Sequence, residues 1–242
     1  MSSFVIKLIA MFAMLCDHAS DAIIGHFNFL NLVGRISFPL FAFQLVIGFK
    51  NTSNVKKYLT RMLIFAIISQ LPFQILIKNY SGEFLLNIFF TLILGLISLM
   101  IVNKCFCKNG VINTIIKIAL VVGICSLASL SKCDYGAIGV LEILLIYYTY
   151  PCDWKKRTNK VNVIKLILLI SGAIGLSAIN YRDVLKSHLI GYYIGIIIAT
   201  TIPIFIMIEY NGKKGKEPKY LFYSFYPIHI IILDIIHYLM YL

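Results

Sequence analysis

An Asp-His pair at 17–18 and a further aspartate at 21 lie near the end of the first apolar run of this sequence, and His229 and Asp234 lie within the last. Gln44, Gln70, Gln74 and Glu142 interrupt the long apolar stretches between them. A polar or ionisable residue at membrane depth costs about 2.5–3.5 kcal/mol on insertion scales, so such positions face protein or water and are functional candidates. His18 has the neighbours of a general base. Asp21 follows at i+3, where a carboxylate can orient the ring or stabilise its protonated form. Asp17 points about 100° away, toward another helix, and Arg35 is its natural partner. As scaffolding, the same residues are a buried ion pair and a hydrogen-bonded histidine that lock helices together.

Spacing adds a path to this chemistry. Lys7 and His18 are within about 20° of one helical face and about 16 Å apart along the axis. Lys219 and His229 are about 15 Å apart on the last helix. Two imidazoles are therefore expected at similar depth, each below a basic anchor. A phosphorylated carrier with a long thin arm fits such a path, its phosphates on surface lysines and its reactive end at an imidazole. A metal site from His18, His229, Asp17 and Asp234 is the weaker alternative, because an Asp-His dipeptide lacks the i,i+4 spacing that puts two ligands on one face; no metal is expected. His26, His188 and His237 read as interface residues.

The elements that must hold these groups follow from composition. The chain has 242 residues, 60% of them hydrophobic and 13% charged, with mean hydropathy +0.89, which excludes a soluble globule. The apolar runs predict an all-α integral membrane protein, a single polytopic domain over 1–242 with about nine transmembrane helices around a polar interior cavity. Their expected bounds are 4–24, 33–49, 57–77, 85–102, 111–130, 135–150, 161–179, 188–208 and 220–241. Most of the 22 Lys and Arg residues gather in the loops after even-numbered helices, which predicts a cytoplasmic N-terminus, an outside C-terminus and a cell-membrane location. The formal charge of +12 is thereby a topology signal, touching anionic lipid, and no nucleic-acid partner is expected. Leu15 before Cys16 is too large for a lipoprotein cleavage site, so the first run reads as a retained helix. The six cysteines imply no disulfide framework. Pro39, Pro203 and Pro227 read either as shaping the cavity or as kinks without chemistry.

Seven stretches then form an ordered set: 7–18 (KLIAMFAMLCDH), 34–43 (GRISFPLFAF), 68–73 (ISQLPF), 87–95 (NIFFTLILG), 134–139 (DYGAIG), 210–215 (YNGKKG) and 219–229 (KYLFYSFYPIH). In that order they resemble the TraX family of membrane proteins, named for the F-plasmid protein that acetylates the N-terminus of pilin. The first helix is also similar to the Arg-x10-His signature of the acyltransferase-3 family, which moves acyl groups from cytoplasmic acyl-CoA to acceptors outside. Lys7 stands where that family has arginine, so a point charge replaces a bidentate fork.

The resemblance implies acyl transfer, with acetyl-CoA (acyl-CoA) as donor and a peptide, pilin-like or envelope amine or hydroxyl as acceptor. It carries His18 as the base and Lys7 as the CoA-side cation. Around them, Asp17, Asp21 and His229 are expected to support catalysis. Arg35, Asn87, Asp134, Tyr135 and Glu142 are expected to bind acceptor or thioester oxygen. Asn211, Lys213, Lys214 and Lys219 are expected to hold the CoA phosphates. Two rival readings remain open: a proton-coupled transporter relaying through Asp17, His18, Glu142 and Asp234, and a non-catalytic membrane subunit of a secretion or conjugation assembly.

Overall fold

In hydrocarbon a backbone can satisfy its polar groups only internally, so each long apolar run becomes a helix. The computed structural model of the chain describes residues 1–25, 28–80, 82–152, 161–186, 189–216 and 220–240. His26, His188 and Lys219 lie outside the described residues.

The first helix, α1 (Ser3–Ala19), continues into a wider π-turn at Ser20–Ile24. Gly25, at φ 100°, ends it. Asn28 then caps α2 (Phe29–Gly34), its Oδ1 accepting from the Leu30 and Asn31 N–H groups. A break at 35–36 leads into α3 (Ser37–Asn51). There follow α4 (Val55–Tyr80), α5 (Ile88–Asn103), α6 (Gly110–Leu130), α7 (Gly136–Thr149), α8 (Val163–Asn180), α9 (Arg182–Lys186), α10 (Ile190–Ile208) and α11 (Leu221–Met240). Among the described residues there is no strand beyond an isolated bridge between Leu86 and Cys133.

All nine expected runs carry a helix, but among the described residues seven are long and apolar enough to cross a membrane; α2 and α3 together make one of these, from Phe29 to Asn51. The exceptions are α5 and α7, 16 and 14 residues long. At 1.5 Å per residue they rise about 24 and 21 Å, short of a hydrocarbon core of about 30 Å. Each has an enclosed face: Leu96, Leu99, Val140 and Ile143 are fully buried, and Ile143 reaches into the gap left by Gly95. By contrast α6, α8 and α10 expose large aliphatic side chains, among them Leu130, Ile164 and Ile198. That surface suits lipid.

Shortening α5 leaves irregular backbone at 83–87, running from the surface at Glu83 to the buried Asn87, and α4 supplies its partners. Gln70 Nε2 donates to the Leu85 carbonyl and its Oε1 accepts from the Asn87 N–H; Gln74 Nε2 donates to the Glu83 carbonyl. Gln70 and Gln74, marked by sequence as functional polar residues, thus serve the fold. Asn87 is fully buried and spent in the same way. Its Oδ1 caps α5 at the Phe89 N–H, and its Nδ2 donates to the Ala66 carbonyl and Gln70 Oε1. Substituting Asn87→Ala removes a cap and two further side-chain hydrogen bonds, so a loss of about 2–3 kcal/mol is expected, seen as a lowered midpoint in thermal unfolding of the purified protein. An unchanged midpoint would contradict this role.

Candidate active site

The two intramembrane histidines meet. α1 and α11 pack together, and His18 Nδ1 lies 2.8 Å from His229 Nε2, the rings nearly parallel at 4°. His229 Nδ1 in turn lies 2.8 Å from the Phe225 carbonyl oxygen one turn back. A carbonyl can only accept, so His229 carries its proton on Nδ1 and offers Nε2 as an acceptor. His18 then donates from Nδ1. This assigns the remaining lone pair of the neutral pair to His18 Nε2, the atom of a general base. The ring thus has a partner on another helix, His229. The sequence could place two histidines at similar depth, but not their contact.

Below the pair, toward the N-terminal end of α1, lies a cavity of about 440 Å³ between α1, α3, α4, α5 and α11. Lys7, Arg61 and Lys214 line it, with Asn51 and Thr52. Its apolar wall includes Met14, Leu45, Met62, Phe89 and Tyr226. Met14 is one turn before His18, about 6 Å along the helix. The Tyr226 ring stands edge-on to both histidines, 6.0 Å from His18 and 5.7 Å from His229. The pair thus sits directly behind the cavity wall, one aromatic ring away, with His18 itself partly exposed and His229 buried.

The N-terminal residues and the segment after α10 close over this end. Ser3 and Phe4 donate their N–H groups to the carbonyls of Lys213 and Lys214, and Asn211 donates to the Met1 carbonyl. Ser3 Oγ donates to Gln44 Oε1 at 2.5 Å. Gln44 Nε2 is buried at the cavity with no hydrogen-bond partner among the described residues. A buried amide N–H₂ without an acceptor costs about 1–3 kcal/mol and marks where a ligand oxygen would be welcome.

Past the histidines, at the other end of α1, the expected Asp17–Arg35 pair forms. Arg35 Nη2 donates to Asp17 Oδ1 at 2.7 Å, Nη1 to the Tyr181 hydroxyl at 3.1 Å and Nε to the Asn31 carbonyl at 3.3 Å. Asn31 Nδ2 bridges Asp17 and Asp21. Gly34 makes room: a Cβ there would stand 2.4 Å from the Asp17 side chain. Tyr135, at φ 61°, stacks on Phe38 at 4.1 Å. In the connector before α7, burial pushes the Asp134 carboxyl up, to about 7; the Arg35 charge opposes the rise and Asp17 adds to it. The Thr91 hydroxyl donates to the Asp134 carbonyl.

The structure therefore gathers His18 and His229 in one place, Asp17, Asp21, Arg35, Asp134 and Tyr135 in a second beside it, and Lys7 and Lys214 in the cavity. It does not bring in Glu142, which makes no hydrogen bond or ion pair among the described residues. Glu142 shares the face of α7 on which Leu145 meets Gly172 of α8. Asn87 caps α5. Asn211 caps its own loop at the Lys213 N–H, and neither Asn211 nor Lys213 lines the cavity. Sequence reading missed Arg61, which counts there only toward topology although Tyr58, Arg61 and Met62 share one helical face. Tyr226 enters it within the 219–229 motif, in the Tyr-Pro-Ile-His stretch read as shaping the cavity, and it does line the cavity.

The TraX protein family model matches residues 2–237. The chain belongs to the TraX family. It is also 32% identical over 247 residues to a curated relative, the probable fimbrial assembly protein FimC, serogroup H1, of Dichelobacter nodosus, covering 96% of this chain and 94% of that one. No solved structure matches. Neither match bears on the likeness of the first helix to acyltransferase-3. Membership of the TraX family, together with seven apolar helices of spanning length among the described residues, makes this a multi-pass protein of the cell membrane.

Proposed function

We propose that this TraX family member is a membrane-embedded acyltransferase acting in pilus or conjugation assembly, with acyl-CoA, most simply acetyl-CoA, as donor and an amine or hydroxyl as acceptor. The observation that carries the reading is the cavity with three cations along it and a histidine pair behind its wall, one lone pair left on His18 Nε2. In this reading the cavity faces the cytoplasm, with the N-terminus inside and the C-terminus outside; the basic loops on that side support it. Lys7, Arg61 and Lys214 take the phosphates, Gln44 Nε2 takes a carbonyl of the arm, and the thioester passes Tyr226 to reach the imidazole.

The acceptor arrives from the Arg35 side. His18 Nε2 removes the N–H or O–H proton as the nucleophile attacks the thioester carbon. The C–S bond then breaks, and the CoA sulfur takes the proton back from the imidazolium. His229 positions this base by fixing its tautomer rather than touching substrate. The test is transfer of a labelled acetyl group from acetyl-CoA by purified protein, paired with mass spectrometry of cell-envelope peptides and glycans for a 42 Da increment lost with the gene. Proton-coupled uptake into proteoliposomes without a donor would instead favour a transporter. Co-purification with assembly proteins, without CoA binding, would favour a non-catalytic subunit.

The donor site makes its own prediction. Lys7→Ala, Arg61→Ala and Lys214→Ala should each weaken CoA binding about ten-fold, the cost of one charge-assisted contact, and raising salt should narrow the difference. Lys213→Ala, off the cavity, serves as the control. Isothermal titration with CoA reads both; equal affinities across the four variants would remove the cavity from donor binding.

A further inference from the structure

Asp234 takes no part in the chemistry above, yet it is a carboxyl within a membrane helix. It lies five residues past His229 on α11, about 140° around the axis, on a different face. There it lines a groove of about 390 Å³ between α11 and α4, with Leu71, Pro72, Ile75, Ile231, Ile235 and Tyr238. Leu71 and Tyr238 are 71% and 65% exposed, so the groove opens outward from the bundle. Asp234 Oδ1 is buried with no hydrogen-bond partner among the described residues. His237 stands one turn on, its Nδ1 held by the Ala22 carbonyl at 2.6 Å. Asp234 is about 20 Å along α11 from Leu221 and about 9 Å from Met240.

We propose that this groove docks a transmembrane helix of a partner protein that carries a lysine or arginine in the matching third of its span. Charge complementarity selects that occupant. An acyl chain fills the aliphatic walls but brings no donor to Oδ1, whereas an intramembrane carboxyl and an intramembrane cation each cancel the other's insertion cost. The walls suit a helix ridge, large and branched on both sides, with the Pro72 turn of α4 facing the carboxyl. The inference is independent of acyl transfer and stands or falls without it.

Full-length protein in phosphatidylcholine nanodiscs can be titrated with a labelled leucine-alanine transmembrane peptide bearing one lysine about 9 Å below the end that pairs with Met240. The companion peptide has leucine at that site. Energy transfer should show the lysine peptide binding about ten-fold more tightly, within the range of one intramembrane polar contact. Asp234→Asn should abolish the difference and Asp234→Glu should keep it, which covers the case in which the neutral variant folds poorly. Equal binding of the two peptides to wild type overturns the proposal, as does an advantage that survives Asp234→Asn. Loss of the lysine advantage on adding phosphatidylethanolamine, whose ammonium is the rival cation, overturns it in favour of a lipid headgroup.

Discussion

His18→Gln is expected to lower acyl transfer by about 10²–10⁴-fold while leaving CoA affinity and thermal stability near wild type. Glutamine can still donate to His229 Nε2, so the packing between α1 and α11 survives, but it has no lone pair of imidazole basicity to take the acceptor proton. His229 variants separate positioning from chemistry. His229→Gln keeps an acceptor for His18 Nδ1 and should lose about ten-fold, whereas His229→Leu frees the His18 tautomer and should lose about a hundred-fold, with a shifted pH profile. Single-turnover transfer from labelled acetyl-CoA measures all three. Retained turnover in His18→Gln would remove the imidazole from the mechanism, and identical losses in the two His229 variants would remove the tautomer argument.

Arg35→Met is expected to cost about 3–5 kcal/mol of stability, the penalty for leaving a buried charge without its partner. The side chains of Arg35 and Asp17 are only 20% and 13% exposed, so solvent cannot take over the lost contact. The guanidinium also ties Tyr181, next to α8, to the α1–α2 corner, and its removal loosens three elements at once. Asp17→Leu with Arg35→Met should recover much of the loss, because two apolar side chains suit the site better than one stranded charge. Thermal unfolding of the single and double variants gives the coupling energy. A coupling below about 1 kcal/mol, as for an exposed pair, would refute this account.

These two expectations draw unequally on the sequence. The Asp17–Arg35 pair was legible because its members fall at equal depth on consecutive helices, where a short turn forces neighbours. The contact of His18 with His229 was not, because 211 residues separate them and helical periodicity gives each ring a direction on its own axis but no azimuth for the other helix. Sequence sees Asp21 only as an i+3 neighbour of His18, and it does not show that a π-turn at Ser20–Ile24 begins between the two residues. Gln70, Gln74 and Asn87 were read as chemistry because a polar residue at depth has the same sequence signature whether it meets a ligand or a backbone. Only the path of 83–87 along α4 separates the two cases.

What sequence alone determined is what depends on local composition and period: helices throughout, a membrane setting, an imidazole 16 Å from a basic anchor, and the family, legible in the ordered motifs. Tertiary structure decided which polar residues serve the backbone, and that His18 answers to His229 behind a cavity lined by Lys7, Arg61 and Lys214. The reason is physical. A helix's own hydrogen bonds and hydropathy are set residue by residue along the chain, whereas a site is made by side chains of different helices, and their relative rotation is fixed only when the bundle packs.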